Sequence, residues 1–254
     1  MADGVDEGRG LRFGTVAEQY ERYRYGYPDE LADVVLGYAQ GGGGRPVRTA
    51  LEVGAGTGKA TTLFAARGVR VTALEPDADM AQVLARSVAG LPVDVVVAPF
   101  EAYTTDHRFD LLLSAASWHW TDPATRFSRA VDLLTPGGTL ALCGSPGEPA
   151  DPALAAALEE VEREVLVAGH YSAGRPWTDD EFTRAGLADL ERHELRRVVP
   201  TTREALLGKL GTVSDYLALD PPARAEALRR VAAVLPDEFE LDASVRLSLS
   251  RRPA

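Results

Sequence analysis

Ala50-Leu51-Glu52-Val53-Gly54-Ala55-Gly56-Thr57-Gly58-Lys59 is a short apolar strand carrying one acid, then three glycines at alternate positions, then a helix start. Glycine has no Cβ, so such a loop turns with positive φ and lets a ligand approach its backbone closely. A second apolar run, Val69-Arg70-Val71-Thr72-Ala73-Leu74, ends at Glu75, which lies 21 residues beyond Gly54 (75 − 54). Strand, glycine loop, helix, strand and terminal acid are how a parallel α/β sheet holds an adenine nucleoside, with the acid on the ribose hydroxyls.

Glycine spacing sorts the candidates. A dinucleotide fingerprint needs a third glycine or alanine where this chain has Lys59, a long cation at the point where helix packs on strand. A phosphate-binding loop of the form Gly-x-x-x-x-Gly-Lys-Ser/Thr would need glycine at Val53 and a hydroxyl at Ala60. What remains is Gly-x-Gly-x-Gly behind an acid.

The chain has 254 residues and a formal net charge of −11, enough length for one substantial core. An acidic surface repels phosphate backbones, so nucleic acid is not an expected partner. No polybasic segment suits an anionic membrane and no apolar run approaches a membrane span. The lone Cys143 excludes an intramolecular disulfide and reads as a small buried hydrophobe in a strand. The acidic, glycine-rich Met1 to Gly10 does not read as a secretory signal, so a cytoplasmic protein is expected. Of 27 basic residues only Lys59 and Lys209 are lysines, which reads as nucleotide-composition bias.

Residues 1–12 read as a disordered tail. Thr15-Val16-Ala17-Glu18 has the form of a capping box and predicts a short helix to about Arg24. A second helix is expected from Pro28, with Leu31, Val34, Val35 and Tyr38 on one face, then a break at Gly41 to Gly44. From Val47 strand and helix alternate, which predicts an α/β fold, a parallel sheet wrapped by helices. Strands are expected over about residues 47–53, 69–75, 93–97, 109–115 and 138–143, and helices over about 58–67, 77–88 and 123–134. Asp151-Pro152 opens a helix over about 152–168, and Thr178-Asp179-Asp180-Glu181 is a second capping box. A strand over about 188–199, helices over about 202–210 and 221–235, and a last strand over about 238–250 follow, the two long strands suiting an antiparallel edge pair. The chain reads as one domain: residues 13–46 an N-terminal helical lid, 47–150 a cofactor-binding core, 151–236 acceptor-site cap inserts around the sixth strand, and 237–254 the last strand.

Four motifs now stand in order: Leu51 to Lys59; Ala73-Leu74-Glu75-Pro76-Asp77; Phe109 to Ala115 running into Trp118-His119-Trp120; and Leu134-Thr135-Pro136-Gly137-Gly138-Thr139-Leu140. Over about residues 13–143 the chain resembles the class I S-adenosylmethionine-dependent methyltransferases of type 11, small-molecule branch. Its run from Phe13 to Pro28, with Tyr20, Tyr23, Arg24 and Tyr27, is similar to the leader helix of bacterial relatives of trans-aconitate methyltransferase. The resemblance implies a Rossmann-like, seven-stranded, mostly parallel sheet with helices on both faces and S-adenosylmethionine across its C-terminal edge. It implies that Gly54, Ala55, Gly56 and Gly58 line the methionine moiety and that Glu52 orders their loop. Glu75 would accept both ribose hydroxyls, as an acceptor-only carboxylate can. Pro76 and Met80 would pack against adenine and Phe100-Glu101 would frame its other face. Pro99 stands where many relatives carry an aspartate for the adenine amine, which leaves adenine to backbone groups and stacking. Ser114 and Ala115 would offer carbonyls to the ammonium and sulfonium. Tyr20, Tyr23, Tyr27 and Arg24 read either as a lid, with aromatic faces for the sulfonium and a guanidinium for a cofactor or acceptor carboxylate, or as tyrosines that pack the leader helix on the sheet beside a solvated arginine.

Methyl transfer from a sulfonium is an in-line displacement, to which orientation alone can contribute about 7–11 kcal/mol. A base is needed only where the acceptor carries a proton. His119 is either that base, kept neutral by apolar surroundings, or, with Trp118 and Trp120, a wall of the acceptor site. His170, Tyr171, Arg175 and Trp177 form a second cluster that reads as a lid over a small-molecule acceptor. The four histidines and Cys143 show no metal-ligand spacing, and no metal is expected. A protein that binds S-adenosylmethionine without methyl transfer, cyclase-like or regulatory, would share the same cofactor site. Glycine spacing disfavours a dinucleotide-dependent oxidoreductase. Ser114-Ala115-Ala116-Ser117 lacks the Asn/Asp-Pro-Pro-Tyr/Phe motif of many nucleic-acid methyltransferases.

Overall fold

The computed structural model describes residues 13–41, 46–145, 147–166 and 177–254. The expected tail, residues 1–12, and the 42–44 part of the expected break lie outside them. Among the described residues the strands are β1 (Thr49–Val53), β2 (Arg70–Leu74), β3 (Val93–Val96), β4 (Phe109–Ala115), β5 (Leu134–Gly144), β6 (Glu148–Pro149), β7 (Ala188–Leu195), β8 (Val198–Thr202), β9 (Glu238–Asp242) and β10 (Val245–Arg251). Seven form the main sheet in the order β3-β2-β1-β4-β5-β10-β7. The first five are mutually parallel, and β10 runs antiparallel to both β5 and β7. This is the expected mostly parallel sheet with its antiparallel C-terminal pair.

Helices are α1 (Ala17–Tyr23), α2 (Glu30–Gly41), α3 (Thr61–Ala65), α4 (Ala78–Ser87), α5 (Arg126–Leu133), α6 (Pro152–Val165), α7 (Asp179–Arg184), α8 (Arg203–Leu210), the single turn α9 (Ser214–Leu217) and α10 (Pro221–Val234). Side chains alternate across each strand. Ala50, Val71, Leu111 and Leu113 therefore meet Leu31, Val35 and Phe64 on one face. Leu51, Val53, Leu112 and Leu142 meet Phe100, Trp118, Phe127 and Phe182 on the other. Burial of both faces explains the near-continuous apolar runs of β1 and β4. Residues of α6, α8, α10 and β9 build a separate core around Tyr216 and Leu241.

Four expectations are corrected. The helix expected from residue 58 starts at Thr61, because the glycine loop is still turning. The helix expected from 123 starts at Arg126, because the Asp122 carboxylate accepts from Ala124 N–H and the Thr125 hydroxyl and holds a turn first. The capping box at Thr15 is replaced by a 3-10 turn over Gly14–Val16, and Glu18 instead pairs with Arg86 on α4. Both long C-terminal strands break, at residues 196–197 and 243–244. There the Ser244 hydroxyl accepts Arg197 N–H and the Asp242 carboxylate accepts Ser244 N–H, so side chains take donors that a continuous ladder would use. Beyond the breaks β8 and β9 leave the main sheet and join β6 in a second sheet, order β6-β9-β8. Among the described residues no helix is long and apolar enough to cross a membrane.

Candidate functional site

The glycine loop leaves β1 at the C-terminal edge of the sheet, with Gly54 and Gly56 at φ +66° and +59°. A side chain at Gly54 would also collide with Ser117, whose Cβ lies 2.6 Å from an added Cβ. The hydroxyls of Ser114 and Ser117 both donate to the Val53 carbonyl (3.1 and 2.5 Å), tying the end of β1 to the turn after β4. In that turn Ala116 holds φ +58° while its N–H donates to the Cys143 carbonyl (2.8 Å). A non-glycine residue in the left-handed region is local strain that its surroundings must over-determine.

Two buried acids support the loop. One Glu75 oxygen accepts Gly56 N–H (2.8 Å) and the other accepts Asp77 N–H (3.0 Å). Burial nevertheless pushes this carboxyl up to about 7. Glu52, 1% exposed, accepts from the Thr61 hydroxyl (2.6 Å). Burial first, and the nearby Glu75 charge as well, push it up to about 8, so it is mostly protonated at neutral pH. Asp77 caps α4 through Asp79 and Met80 N–H and also accepts Gly14 N–H (3.0 Å), which anchors the N-terminal segment.

A cavity of about 90 Å³ lies above the loop. Glu52 and Gly54 to Thr57 line it from β1, Ala115 and Ala116 from β4, and Ser145 and Gly147 from the end of β5. Tyr20, Arg24 and Tyr27 roof it, and Lys59 and Lys209 reach it from α3's approach and from α8. The roof is fastened on both sides. Lys59 pairs with the Glu21 carboxylate (3.2 Å), Gln19 donates to the Gly208 carbonyl (3.0 Å), and Arg24 donates to the Thr212 hydroxyl and carbonyl (2.9 and 3.0 Å). The Tyr23 ring fills the space that a Cβ at Gly208 would need. Arg24 also stacks over Tyr20, 5.0 Å from its centroid.

Of the site residues expected from sequence, Tyr20, Arg24, Glu52, Gly54, Ala55, Gly56 and Ala115 come together at this cavity. The others do not line it, although Glu75 lies beneath the loop and the Met80 methyl stands 3.7 Å from a Cβ built on Gly56. Gly58 (φ +95°) faces α4, where an added Cβ would sit 2.7 Å from Leu84 Cδ1. Gly58→Ala is therefore expected to destabilise the protein by about 1–3 kcal/mol, left-handed strain plus overpacking, as read by urea unfolding. Met80 is buried among Ala17, Val83, Phe13 and Tyr20, and Pro76 is half-buried beside Glu75. Ser114 is fully buried. Glu101 is exposed and accepts Asp122 N–H (2.8 Å).

Trp118 is corrected from a pocket wall to a core residue. The 3-10 turn over Trp118–Trp120 sends it into the opposite face of the sheet, fully buried against Phe100 and Phe127. Phe100 lies in the same core. Trp120 packs edge-on against Phe13 (6.0 Å) and beside His119 (4.7 Å). Burial first, then the Arg126 charge, lower His119 to about 4 and leave it neutral. Trp177 donates to the Ser248 hydroxyl (3.1 Å) and packs on that same far-face core, which corrects its place in an acceptor lid. His170, Tyr171 and Arg175 lie outside the described residues.

Sequence reading missed Lys209, Ala116 and Gly147 at the cavity, whereas Tyr27 of the expected lid lines it. Burial, followed by Cys143, Tyr20 and Glu52, raises the Tyr27 phenol well above its ordinary range. Lys209 is 9% exposed and donates to the Gly147 carbonyl; burial first, then Arg24, lower it to about 8. One signal was present: the two lysines of the whole chain both line this cavity.

These groups fit a nucleoside with a polar tail. The loop offers backbone free of Cβ, Glu75 keeps lone pairs beyond the two its backbone donors use, and the buried Thr57 hydroxyl at the cavity has no hydrogen-bond partner among the described residues.

Residues 51–142 match a family described as a methyltransferase domain. An uncharacterized methyltransferase of Mycobacterium tuberculosis (strain H37Rv) is 38% identical over 132 residues, 52% of this chain and 51% of that protein. The chain thus spans about half the length of the curated relatives it matches. A solved structure of a candidate type II methyltransferase from Anaeromyxobacter dehalogenans superposes with a TM-score of 0.63 at 20% identity, covering 91% of this chain and 98% of that one. Phosphoethanolamine N-methyltransferase 2 of Haemonchus contortus, in complex with S-adenosyl-L-methionine, superposes with a TM-score of 0.58 at 17% identity, covering 100% of this chain and 62% of that one. At such identities the structural likeness is one of fold.

Proposed function

We propose that this chain is a class I S-adenosylmethionine-dependent methyltransferase, a reading supported by its methyltransferase-domain match and its curated relatives, and that it transfers the methyl group of S-adenosylmethionine to a small-molecule acceptor by in-line displacement. The observation that carries the reading is the cavity, where the Cβ-free backbone of Gly54 and Gly56 faces the Tyr20–Arg24 roof with Glu75 beneath the loop. When bound, the cofactor supplies a methyl carbon on a cationic sulfur whose departing thioether is neutral. Gly54, Ala55 and Gly56 would hold its amino-acid tail, Glu75 its ribose, and Arg24 a carboxylate. The faces of Tyr20 and Tyr27 would favour the cation. Pro76 would border the adenine.

The protein's main task in such a reaction is to orient the acceptor and exclude water. A roof fastened to both the glycine loop and α8 supports that role, since it ties closure to the cap that carries Lys209. His119, held at about 4, would be a weak proton acceptor at pH 7. The net charge of −11 supports a small acceptor over a nucleic acid.

The test combines calorimetry with product identification. S-adenosylhomocysteine should bind with micromolar affinity, and methyl-labelled S-adenosylmethionine incubated with cell extract should label a small molecule found by mass spectrometry. Cofactor bound without any labelled product would leave only the binding half of the reading. Label in RNA or protein would overturn the small-molecule acceptor.

A further inference from the structure

We propose that Lys209 selects the acceptor, seating an oxyanion (a carboxylate or a phosphate carried by the acceptor) against its ammonium at the β5 end of the cavity. The inference rests on the methyltransferase reading above and names the acceptor's chemistry.

Lysine is almost never fully buried unless it is paired. Lys209 is 9% exposed, and among the described residues it makes no ion pair. Among the described residues its one hydrogen-bond partner is the Gly147 carbonyl, which leaves two of three ammonium donors for something else. The space for its tip is kept open by Gly147, which holds φ +62°: a Cβ there would overlap Lys209 Nζ and push the ammonium aside. The nearest acids do not neutralise it. Glu162 and Glu148 act on it only at a distance, and the Glu162 carboxyl is raised by burial and occupied by the Tyr216 hydroxyl (2.8 Å). Arg24, in the same cavity, adds a second positive charge whose repulsion a bound anion would relieve.

Position separates this seat from the cofactor's own carboxylate. The acid for the ribose follows β2 and the glycine loop follows β1, whereas Lys209 reaches the cavity beside Gly147, past the end of β5. From β1, whose loop would hold the amino-acid tail, to β5 the sheet order crosses two inter-strand spacings, roughly 10 Å, and from β2 three, roughly 14 Å. The cation therefore stands on the side of the loop away from the ribose, where an acceptor would face the sulfur.

The experiment uses the full chain saturated with S-adenosylhomocysteine and titrates it by calorimetry with a panel of mono-, di- and tricarboxylates, phosphate monoesters, and their neutral amides and esters. Wild type and Lys209→Met are compared, and each is also titrated with S-adenosylhomocysteine alone. The expected result is that one oxyanion class binds and its neutral counterparts do not, that Lys209→Met loses about 10- to 100-fold in that affinity, and that its S-adenosylhomocysteine affinity stays within about twofold of wild type. Carboxylate and phosphate arms identify which anion is seated. The proposal is overturned if no oxyanion binds wild type, if Lys209→Met binds oxyanions equally well, or if the variant loses affinity for S-adenosylhomocysteine but not for 5′-methylthioadenosine, which lacks the carboxylate. Failure of wild type to bind S-adenosylhomocysteine at all is a different outcome and would strike the methyltransferase reading itself.

Discussion

Glu75→Ala is expected to weaken S-adenosylhomocysteine binding by about 100-fold or more in isothermal titration calorimetry, since two hydrogen bonds to a charged group are worth roughly 1.5–3 kcal/mol each. Two effects add. The ribose hydroxyls lose their acceptor, and the Gly56 and Asp77 N–H groups lose the carboxylate that now holds them. The second effect loosens the loop, so Glu75→Gln, which keeps one carbonyl oxygen, should lose less than alanine. The wild-type affinity should also depend on pH. Burial holds the free carboxyl near 7, while hydroxyl donors favour its ionised form and lower its pKa in the complex. Binding then releases a proton, and affinity should rise with pH, approaching about tenfold per unit below 7 and levelling off above 8. A flat pH profile together with an unchanged affinity in Glu75→Ala would remove Glu75 from the cofactor site.

The parts of this site that were legible in the sequence are those whose physics is local. Alternate glycines announce positive φ, and Gly54 and Gly56 have it. An acid ending an apolar run announces a charged group at a strand's C-terminal edge, where Glu75 stands. Trp118 was illegible because a 3-10 turn of three residues points its side chains in different directions, and nothing in Trp118-His119-Trp120 says which one faces the core. The breaks at 196–197 and 243–244 were illegible for another reason. Apolar alternation continues through Leu241, Val245 and Leu247 as if one strand ran on, and only the side-chain bonds of Asp242 and Ser244 end it. Lys209 comes to the cavity from α8, some 150 residues after the glycine loop, so no spacing rule could place it. Its rarity was the available clue: in a chain that uses arginine for all but two of its 27 basic residues, a lysine is a choice that composition bias does not explain.

Glu52→Gln is expected to make the protein more stable at high pH, with the gain shrinking towards zero in acid. The sign follows from burial. Glu52 titrates near 8 in the folded chain and near 4.5 when unfolded. Below 4.5 it is protonated in both states and costs nothing. Between 4.5 and 8 the unfolded chain ionises while the folded one does not, so stability falls as pH rises, and above 8 the full penalty is present. The gap corresponds to on the order of 4–5 kcal/mol. Glutamine stays neutral and keeps an oxygen for the Thr61 hydroxyl, so it escapes the penalty without leaving that donor unpaired. Glu75 loses stability in the same direction, as its carboxyl is also raised by burial. The variant should therefore flatten the fall in unfolding free energy between pH 5 and pH 9 without abolishing it. Urea unfolding of both proteins across that range checks this, and parallel curves would mean that Glu52 ionises in the folded chain as readily as in water.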